Sequence, residues 1–208
     1  METLTLTHPF LFRCHRIKSV DSNPIDGIDE LLLNTKKLST YCNRLVTQSF
    51  LYPNRYDPEK YMGDGFELFV EALIKLSPID NRIGISKYEP ITSDDTGVDG
   101  IGIGIDLKPA TVQIKYRSDN SGLLGSNQDH LGNFVTSSVL RYKVDPETTT
   151  NMLIVTTAKG LYPFTSEEMF QNKVRCIGYK ELRELVDNNL LFWESFRNLV
   201  QTSKKHNT

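Results

Sequence analysis

The chain has 208 residues, 24 Lys and Arg against 26 Asp and Glu for a formal net charge of −2, and is 38% hydrophobic and 24% charged. That length suits one full α/β domain, or a core domain with a helical appendage. A strongly basic surface is excluded, although a local basic rim around a carboxylate cluster is not. No apolar run is long enough to cross a bilayer, so no membrane role is expected.

Cys14, Cys42 and Cys176 are scattered and odd in number, which predicts buried thiols in a reducing, cytoplasmic compartment. Residues 1–8 lack a basic stretch before an apolar segment, so a secretory signal is not expected. His8, His15, His130 and His206 do not cluster in sequence with the cysteines, and a zinc site is not predicted.

Residues 1–62 read as an N-terminal extension: a cap or a dimerisation element. Leu4, Leu6, Phe10, Leu11 and Phe12 suggest an extended or irregular arm, followed by a polar turn at 22–24. Between Ile25 and Phe50, Ile28, Leu31, Leu32, Leu38, Tyr41, Cys42, Leu45 and Val46 recur at helical spacing, enough for one or two helices. Residues 52–58 then break the regularity. From Gly65 a helix is predicted, with Asp64 as its cap and Phe66, Phe69, Val70, Leu73, Ile74 and Leu76 as its apolar stripe. Glu67 and Glu71, four apart, share a face. Either one of them serves a site or both face solvent.

Ile83 to Ile91 reads as a strand carrying Lys87 and Glu89, and residues 92–97 as a polar turn. Val98 to Leu107 alternates with period two. Gly100, Gly102 and Gly104 clear one face of it, which predicts close approach by a helix or a nucleic-acid backbone. Ala110 to Tyr116 returns as the central strand of an antiparallel hairpin, and Gln113 and Lys115 leave it on the same face. A flexible polar loop at 117–128 follows, then a helix with Leu131, Phe134, Val135, Val139 and Leu140. Met152–Thr156 is predicted as a buried parallel strand. A turn, a short helix from Ser166, a strand at 174–177 and helices at 179–186 and 190–200 complete a core spanning 63–200. Residues 201–208 read as a fraying tail.

Glu67 from a helix, Asp99 from a strand start, the Gln113 amide and the Lys115 ammonium form a set suited to a magnesium-dependent phosphodiesterase. The element order, with Gly63-x-x-Phe66-Glu67, Gly97-Val98-Asp99, Gln113-Ile114-Lys115 and Leu153–Thr157 in place, resembles the restriction-endonuclease-like PD-(D/E)xK superfamily, most closely its Mrr-type branch, over residues 63–187. The resemblance implies an α/β fold with a mixed four- to five-stranded sheet flanked by helices. It also implies a restriction-type endonuclease that cuts double-stranded DNA at specific sequences to a 5′-phosphate and a 3′-hydroxyl, with no organic cofactor. Double-strand cutting by a chain with one site leads to the expectation of a homodimer.

By the same resemblance, Mg²⁺, with Mn²⁺ as a substitute, is held by Asp99, the Gln113 oxygen, the Ile114 carbonyl and Glu67, and Lys115 orients the attacking water. Two departures stand out. Val98 replaces a proline, and Gln113 replaces a carboxylate, so the metal site carries less charge. A structure-selective or junction nuclease, and a catalytically silent DNA-binding protein, remain as alternatives. Lys87, Tyr116, Arg117, Arg141, Lys143 and Lys159 are candidates for phosphate contact, and Asn120, Asn127 and Gln128 for base edges. His130 is a candidate base or phosphate contact.

Overall fold

A computed structural model describes residues 4–18, 24–78, 80–92, 97–125, 131–162 and 173–206. The chain divides into two compact units, residues 1–76 with 183–208, and residues 77–182. In the first lie α1 (Phe10–Arg13), the antiparallel pair β1 (Arg16–Lys18) and β2 (Pro24–Asp26), α2 (Gly27–Leu32), α3 (Leu38–Ser49) and α4 (Pro58–Leu76). The second contains β3 (Ile85–Pro90), β4 (Gly100–Gly104), β5 (Pro109–Lys115), β6 (Leu123–Leu124), α5 (Leu131–Leu140), β7 (Met152–Thr156), β8 (Gly160–Leu161) and β9 (Val174–Ile177). Helix α6 (Tyr179–Val186) crosses the boundary, and α7 (Leu190–His206) completes the first unit.

Helix α4 begins earlier than the sequence suggests. The Asp57 carboxylate accepts from the Lys60 amide at 2.8 Å, and Pro58 takes the first helical position, so the stretch read as a break is a helix start. Asp64 is therefore internal, bonded to the Tyr56 hydroxyl and to Lys60 Nζ (3.2 Å), and caps nothing. Gly65 is needed where α3 meets α4, because a Cβ there would lie 2.3 Å from Leu45 Cδ2. The Tyr41 hydroxyl donates to the Gly65 carbonyl at 2.8 Å. Phe69 packs among Tyr41, Phe66, Phe192, Trp193 and Phe196, forming the aromatic centre of this unit. Helix α7 continues to His206 with Ser203 buried, where a fraying tail was expected.

The Glu67–Glu71 pair does not face solvent. Glu71 is fully buried and its Oε1 accepts from the Thr7 amide (2.8 Å), the Thr7 hydroxyl (2.9 Å) and Lys75 Nζ (2.7 Å). Its Oε2 accepts from the His8 amide at 3.0 Å, and Lys75 Nζ reaches the Thr5 carbonyl at 2.8 Å. One buried ion pair thus pins the N-terminal arm along α4.

The second unit is built on a mixed sheet in the order β3-β4-β5-β7-β9, antiparallel from β3 to β5 and parallel from β5 to β9. The hairpin β4–β5 and the parallel strand β7 follow the sequence pattern closely. Strand β3 is interrupted by a register shift between Ser86 and Glu89, where Lys87 adopts φ 48°. Among the described residues, side chains lie against the glycine face of β4. The Tyr88 ring lies over Gly100, and the Asn151 side chain over Gly104. Val98, Leu131, Phe134, Val135, Met152 and Ile154 pack as the core of this unit.

The loop after β5 is anchored rather than free over its described part. Its residues 123–124 pair in parallel with 160–161, and the Lys159 amide donates to the Gly122 carbonyl at 2.8 Å. The turn, cap and helix expected at 92–97 and 163–170 fall largely outside the described residues. Among those described, no helix is long and apolar enough to cross a membrane.

Candidate functional site

Strand β4 starts, and β5 ends, at one end of the sheet in the second unit, because the two run antiparallel. Gly100 pairs with Val112, and continuing that register by one residue sets Asp99 opposite Gln113. The Asp99 amide donates to the Val112 carbonyl at 2.9 Å, and its carboxylate Oδ2 accepts from the Ile114 amide at 2.5 Å. This charge-assisted bond fixes the acid across the strand pair. Lys115, half-buried, shares the face of Gln113 by the two-residue period of the strand.

Gln113 is the anomalous member. It is 0% exposed, and among the described residues neither its Oε1 nor its Nε2 has a hydrogen-bond partner. A buried polar group left unpaired costs about 1–3 kcal/mol, and native interiors rarely tolerate one without a reason. Its neighbour in register on β7 is the apolar Ile154. Both polar ends of this amide thus lie in surroundings that offer them no partner among the described residues.

The backbone around Lys115 is held from β7. The Thr156 hydroxyl donates to the Lys115 carbonyl at 2.7 Å, and the Thr157 amide reaches the same oxygen at 3.2 Å. The Thr157 hydroxyl accepts from the Arg117 amide (2.6 Å) and donates to the Arg117 carbonyl (2.7 Å). Both threonines are buried, so residues 115–117 are clamped at the end of the sheet.

The oxygen donors here suit a hard cation. A carboxylate, an amide oxygen and a main-chain carbonyl from Asp99, Gln113 and Ile114 are the donor types that magnesium takes, with no soft ligand among them. Cys176, the one cysteine of this unit, keeps its proton: burial above all, then the charge of Glu181, push its thiol up to about 12.

Glu67 belongs to the first unit and meets a residue that sequence reasoning missed. His8 Nε2 lies 2.9 Å from Glu67 Oε2, while His8 Nδ1 accepts from the Phe10 amide at 3.2 Å. With Nδ1 accepting, the ring proton sits on Nε2 and is donated to Glu67. His8, Asp64 and Glu67 place ligand atoms within 4.8 Å of one another, as a metal site would. A metal on His8 Nε2 would move that proton to Nδ1, against the Phe10 N–H, so in this arrangement the histidine is a donor that orients Glu67. The two residues are 59 apart in sequence, and no periodicity links them.

The proposed nucleic-acid contacts divide. Lys87 is exposed at the β3 bulge, and Arg117 and Asn120 are exposed beyond β5, next to half-buried Tyr116. Arg141 lies over the Tyr142 ring at 5.6 Å, and Lys143 Nζ donates to the Leu140 carbonyl at 2.6 Å, capping the end of α5. Asn127, Gln128 and His130 lie outside the described residues.

The class these observations define is an α/β protein whose mixed sheet presents a carboxylate, an amide and an ammonium at one end. Comparison with family models, curated proteins and solved structures finds no match to this chain.

Proposed function

We propose that the chain is a magnesium-dependent DNA endonuclease with a restriction-endonuclease-like core nearest the Mrr-type branch. The observation that carries this reading is the buried, unpaired Gln113 amide opposite Asp99 and two residues before Lys115. The strand directions also agree with it, since the acid opens the second strand of the sheet and the amide and ammonium close the third.

Magnesium, when bound, supplies Lewis-acid charge for the phosphate and a more acidic water. Asp99 supplies the negative charge that attracts the ion, and the bond from the Ile114 amide keeps that carboxylate in one rotamer. Gln113 offers its neutral oxygen. The Lys115 ammonium orients the attacking water and offsets the charge that grows on the phosphate oxygens in the transition state. Double-strand cutting by a chain with one such site calls for two copies on the DNA, so a homodimer is part of the reading.

The test is cleavage of plasmid, phage and genomic DNA by the purified protein with magnesium or with chelator, beside Asp99→Ala. Magnesium-dependent products that vanish in Asp99→Ala, with duplex binding retained in a gel shift, are expected. A wild-type protein that shifts DNA and cuts none overturns the enzyme. It would leave the DNA-binding protein that a neutral Gln113 favours.

A second prediction concerns the clamp. Thr157→Val keeps the shape of the side chain and removes both bonds to Arg117. Turnover is expected to fall about tenfold, or about 1.4 kcal/mol in the barrier, with KM nearly unchanged, and Thr157→Ser should restore it. Equal turnover for valine and wild type would show that the threonine does not position the site.

A further inference from the structure

Two segments of the first unit, residues 12–16 and 50–61, bring together rings and guanidinium groups that the endonuclease reading does not use. The His15 ring stacks on Tyr61 with centroids 4.4 Å apart and an interplanar angle of 14°. It meets Tyr52 and Tyr56 edge-on at 5.0 and 6.1 Å. The Tyr52 hydroxyl donates to the Arg16 carbonyl at 3.4 Å, which ties the segments to each other. His15 is buried, and its Nε2 has no hydrogen-bond partner among the described residues. Burial first, and then the charge of Arg55, draw its pKa below the ordinary histidine value. The ring is therefore neutral at pH 7, and the positive charge here comes from arginine.

Arg13, Arg16 and Arg55 are all exposed, and none forms an ion pair among the described residues. Arg55 stands close enough to His15, and Arg13 to Tyr56, for their charges to be felt at those rings. Of the three acids between 57 and 64, Asp57 caps α4, and Asp64 is taken by Tyr56 and Lys60. A capping carboxylate keeps its charge, so Asp57 and Glu59 stand against three arginines, on a chain whose overall charge is −2. The rings beneath are partly open, since Tyr52 is 40% exposed and the adjoining Phe50 63%.

An exposed tyrosine and an exposed phenylalanine over a buried ring stack, with exposed guanidinium groups nearby that have no carboxylate partner among the described residues, match the alternation of base and phosphate along a nucleic-acid strand. We propose that this surface binds single-stranded nucleic acid, with Arg13, Arg16 and Arg55 contacting phosphates and Tyr52 stacking on a base. It gives the N-terminal extension a binding role of its own, separate from cleavage chemistry at Asp99.

The experiment is fluorescence anisotropy of a labelled 20-nucleotide single strand with the full-length protein in chelator, across a range of NaCl. In the Arg13→Ala/Arg16→Ala/Arg55→Ala variant, affinity at 100 mM NaCl falls at least about tenfold. The slope of log affinity against log salt also shrinks by about 2, from three lost phosphate contacts at roughly 0.7 each. Tyr52→Ala weakens binding by about tenfold and leaves the slope alone, which a general loss of charge would not do. Wild-type affinity and slope in the triple variant overturn the proposal. So does a triple variant that loses binding only to phosphatidylserine vesicles, which would make the patch a membrane contact. Binding is read without magnesium, so the proposal can stand where the nuclease reading fails. Conversely, Asp99-dependent cleavage with an unchanged triple variant would leave the nuclease reading intact and remove this surface.

Discussion

Gln113→Met is expected to raise the thermal midpoint of the metal-free protein while abolishing magnesium-dependent cleavage. Methionine has nearly the length and volume of glutamine, fits beside Ile154, and has no polar atoms that demand partners. It relieves the burial cost of two unpaired amide atoms, about 1–3 kcal/mol. For a chain of this size each kcal/mol is worth about 2–4 °C, so a rise of about 2–12 °C follows. Wild type should gain further stability on adding magnesium, because an ion that binds only the folded state shifts the equilibrium by mass action. The variant should show no such gain. Differential scanning calorimetry with and without magnesium measures both. A lower midpoint for methionine would mean that the amide has structural partners, and Gln113 would lose its place in the site.

The second large effect is expected at Glu71. Glu71→Ala leaves the Lys75 ammonium, 11% exposed, with only the Thr5 carbonyl for company, and deprives three further donors of their acceptor. Removing one member of a buried ion pair costs about 3–5 kcal/mol, a large part of the stability of an ordinary domain. Urea titration should show the midpoint fall sharply, and limited proteolysis should cut between Thr5 and His8, where the arm is no longer held. Replacing both members, as Glu71→Leu with Lys75→Met, should recover most of the loss, since no buried charge is then left alone. Failure of the double variant to recover would mean that the bonds to Thr7 and His8 outweigh the ion pair.

What the sequence disclosed follows from the range of the signals. The alternation of Ile101, Ile103 and Ile105 against glycines, and the two-residue spacing of Gln113 and Lys115, are local, and β4 and β5 appear where those patterns put them. The start of α4 lies earlier than the apolar stripe from Phe66 implies, because Pro58 looks like a break in sequence and is the first helical residue in the fold. Only the fold shows that Gly65 is small to admit Leu45. The partner of a charged side chain is harder still. Glu71 and Glu67 look alike in sequence, but one is enclosed by an arm 64 residues away and the other meets His8 across 59. The occupants of the β4 glycine face, Tyr88 and Asn151, come from separate strands or strand approaches, and no spacing rule joins them to Gly100 and Gly104. The orphaned state of Gln113 is a property of its surroundings, invisible in the residue itself.

The first unit is assembled from both ends of the chain. The Leu6 amide donates to the Ser203 hydroxyl at 2.7 Å, and the Phe69 ring meets Trp193 and Phe196. A ribosome makes α4 first and its aromatic cover last, with residues 77–182 in between. At about 5–20 residues per second that interval lasts roughly 5–20 s. The contiguous second unit is complete before the first can close, which reverses the usual order of maturation along a nascent chain. A chain stalled before Leu190 would present Phe69 and its neighbours uncovered, and would be a substrate for chaperones or proteases rather than a smaller working protein.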